Sequence, residues 1–377
     1  QGYSSAASDV YKRQHMERIY PPEIKRYDTV DEFKKVFQEF FNSICIQQND
    51  PLFKPLFSKI EKLIGLNIPS KLYKYRGVNE YSVHDLKNDE IVCSKPVDFN
   101  DPFDSLLYFD IKSLEQHIED GSRNHDGILN QWKLLKTRVL ESNIPIESLD
   151  PKTREIVLSS EDEMKNYFHS AEYEQHLQEL KSKCRYELSS MITSLRQNSY
   201  IGCFTEINDC PLMWGHYADS HKGFCLEYDL SNNPFYCENF NSNADCHKHL
   251  YPVLYSGERY CAKEFALQQA SRIMGGNQPL SDILFWFKAY TSKAINWEYE
   301  KEWRIIVIPQ DIENTTKKKW FLPLKPMAIY YGLRFEEQPE KVKSTIRELA
   351  KSKGLHQYKM ELKEDDRCYL ITPILID

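Results

Sequence analysis

No stretch of this 377-residue chain approaches the roughly 18 uninterrupted apolar residues that a membrane-spanning helix needs. The densest apolar cluster, Ile283-Leu284-Phe285-Trp286-Phe287, is far too short, so no membrane partner is expected. Residues 1–14 lack an apolar leader, which excludes a signal peptide in that stretch. They end in Asp9-Val10-Tyr11-Lys12-Arg13-Gln14, a string similar to the translation of a library-preparation adaptor. Segment 1–15 is therefore expected to be a disordered artefact, with Met16 as the start. Positive charge is also in short supply: 49 Lys and Arg stand against 56 Asp and Glu, a net −7. An acidic chain lacks the electrostatic footprint of a strong non-specific nucleic-acid binder. The basic run Lys317-Lys318-Lys319 is short and reads as a solvated loop.

Metal-ligand spacing is missing too. Of the ten cysteines, Cys45 sits in a helical pattern and Cys93, Cys203 and Cys225 in strand patterns, as free thiols of a reducing cytosol do. A cytoplasmic location is the expectation. Cys237, Cys246, His247 and His249 form the one cluster with metal-ligand character, but their spacing fits no standard zinc pattern and paired Cys-x-x-Cys motifs do not occur. No metal is expected.

What remains is globular in composition, with 41% hydrophobic and 28% charged residues. Thr29 and Glu32 form a capping-box pattern, and Val30, Phe33, Val36, Phe37, Phe40 and Phe41 follow at helical spacing, predicting a helix over 29–48. A second helix is expected at 52–64, stopped by Gly65 and Pro69, which makes 16–70 an N-terminal helical pair. Leu72–Arg76 and Glu90–Ser94 read as strands with a short helix between them. The loop Asp98-Phe99-Asn100-Asp101-Pro102-Phe103-Asp104 reads as rigid, since Pro102 fixes φ and Asn and Asp side chains bond nearby amides. Residues 111–198 read as a charge-rich helical insertion, with long helices at 126–142 and 160–196. Strands are predicted at 200–206, 223–228, 250–255, 300–308, 327–331, 356–362 and 368–374. Helices are predicted at 210–219, 258–275, 279–294 and 337–353. The pattern gives an α+β fold with a mixed, mainly antiparallel central sheet, its core over 71–377.

Three blocks carry a resemblance: Tyr73-Lys74-Tyr75-Arg76-Gly77 with Phe99–Asp104, the stretch 203–229, and the stretch 297–307. Together they resemble the bacterial family designated domain of unknown function 2971, a name that implies no activity. More distantly, the order of elements is similar to the ADP-ribosyltransferase fold. That likeness implies Arg76 as a contact to a nicotinamide nucleotide, Thr205 lining the pocket, Tyr217 stacking, and Glu302 as the catalytic acid with Glu300 as its partner. It makes NAD the expected co-substrate, a small nucleotide the ligand and an unidentified macromolecule the acceptor. A toxin or phage-defence effector is the role implied.

The residues can also be read without the likeness. A strand over Glu300–Ile308 would put Glu300, Glu302 and Arg304 on one face, the two carboxylates ~7 Å apart. Such a row is either a ligand site, with Tyr75 beside it, or a structural ion-pair ladder. Arg76 either grips a ligand phosphate or locks the loop through Asp101 or Asp104, with Asn100 a structural part of that turn. His216 and His221, five apart, do not share a helix face. Trp214 and Met213 read as core. Three classes follow: an NAD-using transferase or glycohydrolase, a metal-dependent hydrolase or nuclease, and a non-enzymatic binding module. The first needs Arg76, Thr205 and Glu302 around one pocket. The second needs Asp101 or Asp104 within ~5 Å of Glu302, sharing a cation. Exposed residues at 300, 302 and 304 with no cleft would favour the third.

Overall fold

The computed structural model describes residues 22–46, 50–142, 145–231, 246–274, 282, 284–309, 312–364 and 367–376. Segment 1–15 and Cys237 lie outside them. The chain divides into two compact units, one of residues 1–107, 193–260 and 283–377, the other of residues 108–192 and 261–282.

The first unit is built on a ten-stranded sheet. Its strands come from β1 (Leu72–Arg76), β2 (Glu90–Ser94), β3 (Tyr200–Thr205), β4 (Phe224–Tyr228), β5 (Cys246–Pro252), β8 (Glu302–Pro309), β9 (Lys319–Pro323), β10 (Ala328–Tyr331), β11 (His356–Leu362) and β12 (Ile371–Leu375). Two short strands, β6 (Leu254–Ser256) and β7 (Ser292–Ala294), pair separately and in parallel. The order β12-β11-β10-β4-β1-β3-β2-β9 is antiparallel except at β10–β11, and β8 lies between β3 and β5. The result is an α+β fold with a mainly antiparallel sheet.

Local chemistry explains most element boundaries. Helix Val30–Ser43 starts at Thr29, whose hydroxyl accepts from the Glu32 amide, and buries Phe33, Phe37, Phe40 and Phe41. Phe33 stacks on Trp303 of β8, with ring centroids 6.2 Å apart. Lys34 pairs with Glu206 at 2.6 Å beside it, so this N-terminal helix is part of the core of its unit. The second helix runs Phe53–Asn67, through Gly65, because Leu63, Ile64 and Asn67 are buried and packing outweighs the glycine. Asn79 and Ser82 cap helix Glu80–Asn88 reciprocally.

The second unit is helical: Ile111–Arg123, His125–Glu141, Pro151–Leu158, Glu161–Tyr167, Lys263–Ile273 and most of Ala171–Gln197. Two expectations are corrected here. The single helix over 160–196 is two pieces, because Ser160 caps the short helix Glu161–Tyr167 and the chain turns again before Ala171. The unit also draws in 261–282, which the sequence reading gave to the core. Leu129, Trp132, Phe168 and Tyr173 form its own small core. No described helix is long and apolar enough to cross a membrane.

Two further corrections concern the sheet. Lys319 opens a strand, β9, pairing along β2, where a loop was expected. Residues 279–294 are not one helix: Phe285–Thr291 is helical, then β7 and a 3-10 turn, Ile295–Glu300, follow.

Candidate active site

The strand predicted from Glu300 begins at Glu302. Glu300 closes the 3-10 turn, and Lys301 takes a left-handed conformation with φ of 45° before the chain extends. Glu300 therefore reaches the carboxylate row from a turn rather than from strand alternation. Lys301 points to a surface pairing with Asp31 at 3.6 Å.

What gathers there is a closed charge cluster. Arg304 is fully buried and donates end-on to Asp104: Nη1 to Oδ1 at 2.9 Å and Nη2 to Oδ2 at 2.6 Å. Its Nε and Nη2 hold the Glu302 oxygens at 2.9 and 3.0 Å, and Nη1 also donates to the Tyr290 carbonyl. The Lys293 ammonium from β7 bridges Glu300 at 2.5 Å and Glu302 at 2.9 Å, with Asp104 at 3.9 Å. Tyr217 donates its hydroxyl to the remaining Glu300 oxygen at 2.6 Å, and the exposed Asn100 amide reaches that hydroxyl at 3.4 Å. Three carboxyls thus face two cations. Each side chain of the five is at most 5% exposed, where charges survive only in company.

The two glutamates titrate apart. Burial, reinforced by the charge of Glu302, raises the Glu300 carboxyl above its usual range. Burial would do the same to Glu302, but Arg304 and Lys293 outweigh it and hold that carboxyl well below the usual range. Burial disfavours the Lys293 charge, yet Glu302 and Glu300 more than restore it, so the amine stays an ammonium. Burial and then Glu300 push the Tyr217 phenol up, keeping it a donor. Cys203 lies next to Arg304 across the sheet and has its thiol pushed up by burial and by Glu302. Aromatic side chains border the Glu300 end. Trp297, half-buried, lies under the Lys293 ammonium at 5.1 Å, and the Tyr299 ring is 6.2 Å from it.

Of the residues singled out in the sequence, Glu300, Glu302, Arg304, Asp104, Tyr217 and Asn100 come together. Thr205 is directly opposite Glu302 in the β3–β8 register, but its hydroxyl accepts from the Ile207 amide. Tyr75 is core: it packs edge-on against Trp214 at 5.0 Å and donates to the Ile207 carbonyl. Asp101 caps its own turn by accepting from the Phe103 amide. Arg76 does not join the cluster. Directly opposed residues of antiparallel strands share a face, so Tyr73, Thr205 and Glu302 lie on one side of the sheet. Strand alternation sends Arg76 to the other side, where it pairs with Asp85 at 2.8 Å instead of Asp101 or Asp104. The single pocket of Arg76, Thr205 and Glu302 is not formed. Asp104 and Glu302 do share a cation, but it is the Arg304 guanidinium. Among the described residues no group of three or more His, Cys, Asp or Glu is arranged to hold a metal ion. His249 is buried in an aromatic setting, its ring edge-on to Phe57 and Phe287, with Glu61 at 3.5 Å. Glu300, Glu302 and Arg304 are buried, not exposed as a bare binding face would have them.

Lys293 is the member that sequence reasoning missed. Reading 279–294 as one helix hid it. Its signal was its position seven residues before Glu300, which acquires meaning only once β7 and the 3-10 turn fold back.

Residues 213–305 match the sequence profile of a family described as a protein of unknown function (DUF2971). The matched span contains Tyr217, Lys293, Glu300, Glu302 and Arg304 and omits Asn100 and Asp104. No curated protein matches the chain, and no solved structure does.

Proposed function

We propose that the protein is a hydrolase of a small nucleotide-like substrate, with Glu300 as the base that activates water. The observation that carries this reading is the divergence of the two carboxyls bridged by Lys293. Glu302 is held ionised by Arg304 and Lys293, whereas Glu300, equally buried, is raised and accepts from Tyr217, whose hydroxyl the exposed Asn100 amide reaches. Two carboxyls driven apart by their surroundings are the arrangement that divides acid–base labour, and a base whose proton affinity approaches working pH is the more effective one. Tyr217 orients Glu300, and Trp297 offers an aromatic face for a planar ring. Glu302 acts as a fixed charge that positions Lys293. Arg76 has no part in this site, so the transferase arrangement built on it is not carried forward.

NAD is the substrate to offer first, because loss of nicotinamide from its ribosyl bond needs only water, a base and stabilised positive charge. Glu300 takes the proton of the attacking water as the C–N bond breaks, nicotinamide leaves neutral, and ADP-ribose carries the new hydroxyl. The assay is nicotinamide release by the whole protein beside Glu300→Gln, with folding checked by circular dichroism. Wild-type release with a loss of about 100-fold or more in the variant is expected. A folded wild type that neither binds NAD by calorimetry nor releases nicotinamide overturns the NAD reading. Equal activity in Glu300→Gln overturns the role of Glu300.

One observation favours a second reading: every charge in the cluster already has an opposite partner. A purely structural latch joining the 99–104 loop, β7 and β8 predicts that Glu300→Gln changes stability and no turnover.

A further inference from the structure

On the sheet face away from Glu302, a second set of buried polar groups converges. Lys74 and Arg76, two apart on β1, share that face. Helix Glu80–Asn88 lays Asp85 against Arg76, with Nη2 to Asp85 Oδ2 at 2.8 Å. The pairing is incomplete. Asp85 is 2% exposed, yet its Oδ1 has no hydrogen-bond partner, and neither has Arg76 Nε. Lys74 is 9% exposed and donates to one acceptor, the Cys203 carbonyl at 3.0 Å. Its ammonium rides over the Phe204 ring at 5.4 Å, and among the described residues no carboxylate comes within ion-pair range of it. Burial and the neighbouring Arg76 charge push the Lys74 amine down, and burial pushes the Asp85 carboxyl up.

Charge and hydrogen-bond counting define what is missing. With Lys74 as an ammonium, two cations face one carboxylate and one positive charge is uncompensated, a costly state in a buried site that either loss of the Lys74 proton or a bound anion relieves. The open donors are Arg76 Nε–H and two ammonium hydrogens of Lys74, and the open acceptor is Asp85 Oδ1. Water satisfies the hydrogen bonds but brings no charge. Chloride or nitrate brings the charge but turns a lone pair toward Asp85 Oδ1. An anion with a hydroxyl of its own meets every demand: its charged oxygen accepts from Arg76 and Lys74, and its O–H donates to Asp85.

We infer that Lys74, Arg76 and Asp85 form a second ligand site, separate from the Glu300 cluster, for a small oxyanion that carries its own hydroxyl hydrogen, such as bicarbonate, dihydrogen phosphate or the head of a 2-hydroxy acid. The Arg76 side chain, 15% exposed, is the way in. The site does not depend on hydrolysis at Glu300.

The test is thermal unfolding of the whole protein at constant pH and ionic strength in bicarbonate, phosphate, glycolate or nitrate. At least one of the first three is expected to raise Tm over nitrate by about 3 °C, saturably, since a ligand bound only by the folded state stabilises it by mass action. The arm that responds identifies the ligand. Lys74→Met removes the shift and Glu300→Gln keeps it, which separates this site from the proposed active site. Should Lys74→Met not fold, Asp85→Asn serves in its place: with its amide turned to donate, it abolishes the advantage of hydroxyl-bearing anions over nitrate. Equal Tm of the wild type in all four anions means that water fills the site and overturns the inference. So does an anion shift that survives both Lys74→Met and Asp85→Asn.

Discussion

Lys293→Met puts the reading of the charge cluster at most risk. The substitution keeps an unbranched apolar stem and removes an ammonium lying 2.5 Å from Glu300 and 2.9 Å from Glu302. Three carboxyls are then left to one guanidinium. Breaking a buried pair by deleting one partner costs about 3–5 kcal/mol, mostly because the surviving charge has no compensation. Here the survivor has a remedy: Glu300, already raised by burial and by Glu302, rises further without Lys293 and takes up a proton. A carboxyl raised in the folded state stabilises the fold while protonated, and that contribution is lost as pH rises through its folded-state titration. The penalty of Lys293→Met is therefore largest on the alkaline side and shrinks on acidification. The gradient is at most about 1.4 kcal/mol per pH unit for one proton. Glu302 does not share the relief, because Arg304 still holds it ionised. Denaturant unfolding of both proteins at about pH 8 and about pH 5 should show the gap narrowing by about 2 kcal/mol. A gap that stays constant or widens in acid refutes the assignment of Glu300 as the proton-accepting member. The double variant Lys293→Met/Glu300→Gln, with one negative charge fewer, should lose less than the sum of its parts.

Two other expectations follow from backbone geometry. A Cβ at Gly223 would lie 2.1 Å from the Arg76 carbonyl oxygen, so Gly223→Ala must displace β1 from β4; a loss of about 2–4 kcal/mol by denaturant unfolding is expected, and a change under about 0.5 kcal/mol would contradict the close approach. At the sheet edge, the Leu370 carbonyl accepts from the Lys363 amide just past β11 and the Ile376 amide donates to Gln357 of β11, so alternation turns the backbone of Ile371, Pro373 and Leu375 outward. Pro373 offers no N–H there, which protects an edge carrying exposed Ile374 and Leu375. Pro373→Val should shift the protein toward larger species in analytical ultracentrifugation, and unchanged sedimentation would mean that the edge is guarded by something else.

The sequence by itself determined those features in which a local rule met no competitor. The phenylalanine stripe at 33, 37, 40 and 41 became a buried helix face, Thr29 capped it, and most strands fell near their predicted positions. The family-like blocks drew attention to Glu300, Glu302 and Arg304, which do converge, although the geometry used to unite them applied to only two of the three. Tertiary structure decided the rest. Nothing in the local sequence shows that Gly65 stays helical, because burial of its neighbours settles that. The partner of Arg76 is Asp85 because β1 turns that side chain toward helix Glu80–Asn88, and which face of a strand meets which layer is fixed only when the sheet is assembled. Lys293 and Asp104 reach Glu302 and Arg304 from residues near and far along the chain, through a 3-10 turn and a loop whose paths depend on what they pack against. A buried charge cluster is stable only when all its members arrive together. Its membership is therefore a property of the whole fold, and the chain pattern alone could name some of the residues but not their company.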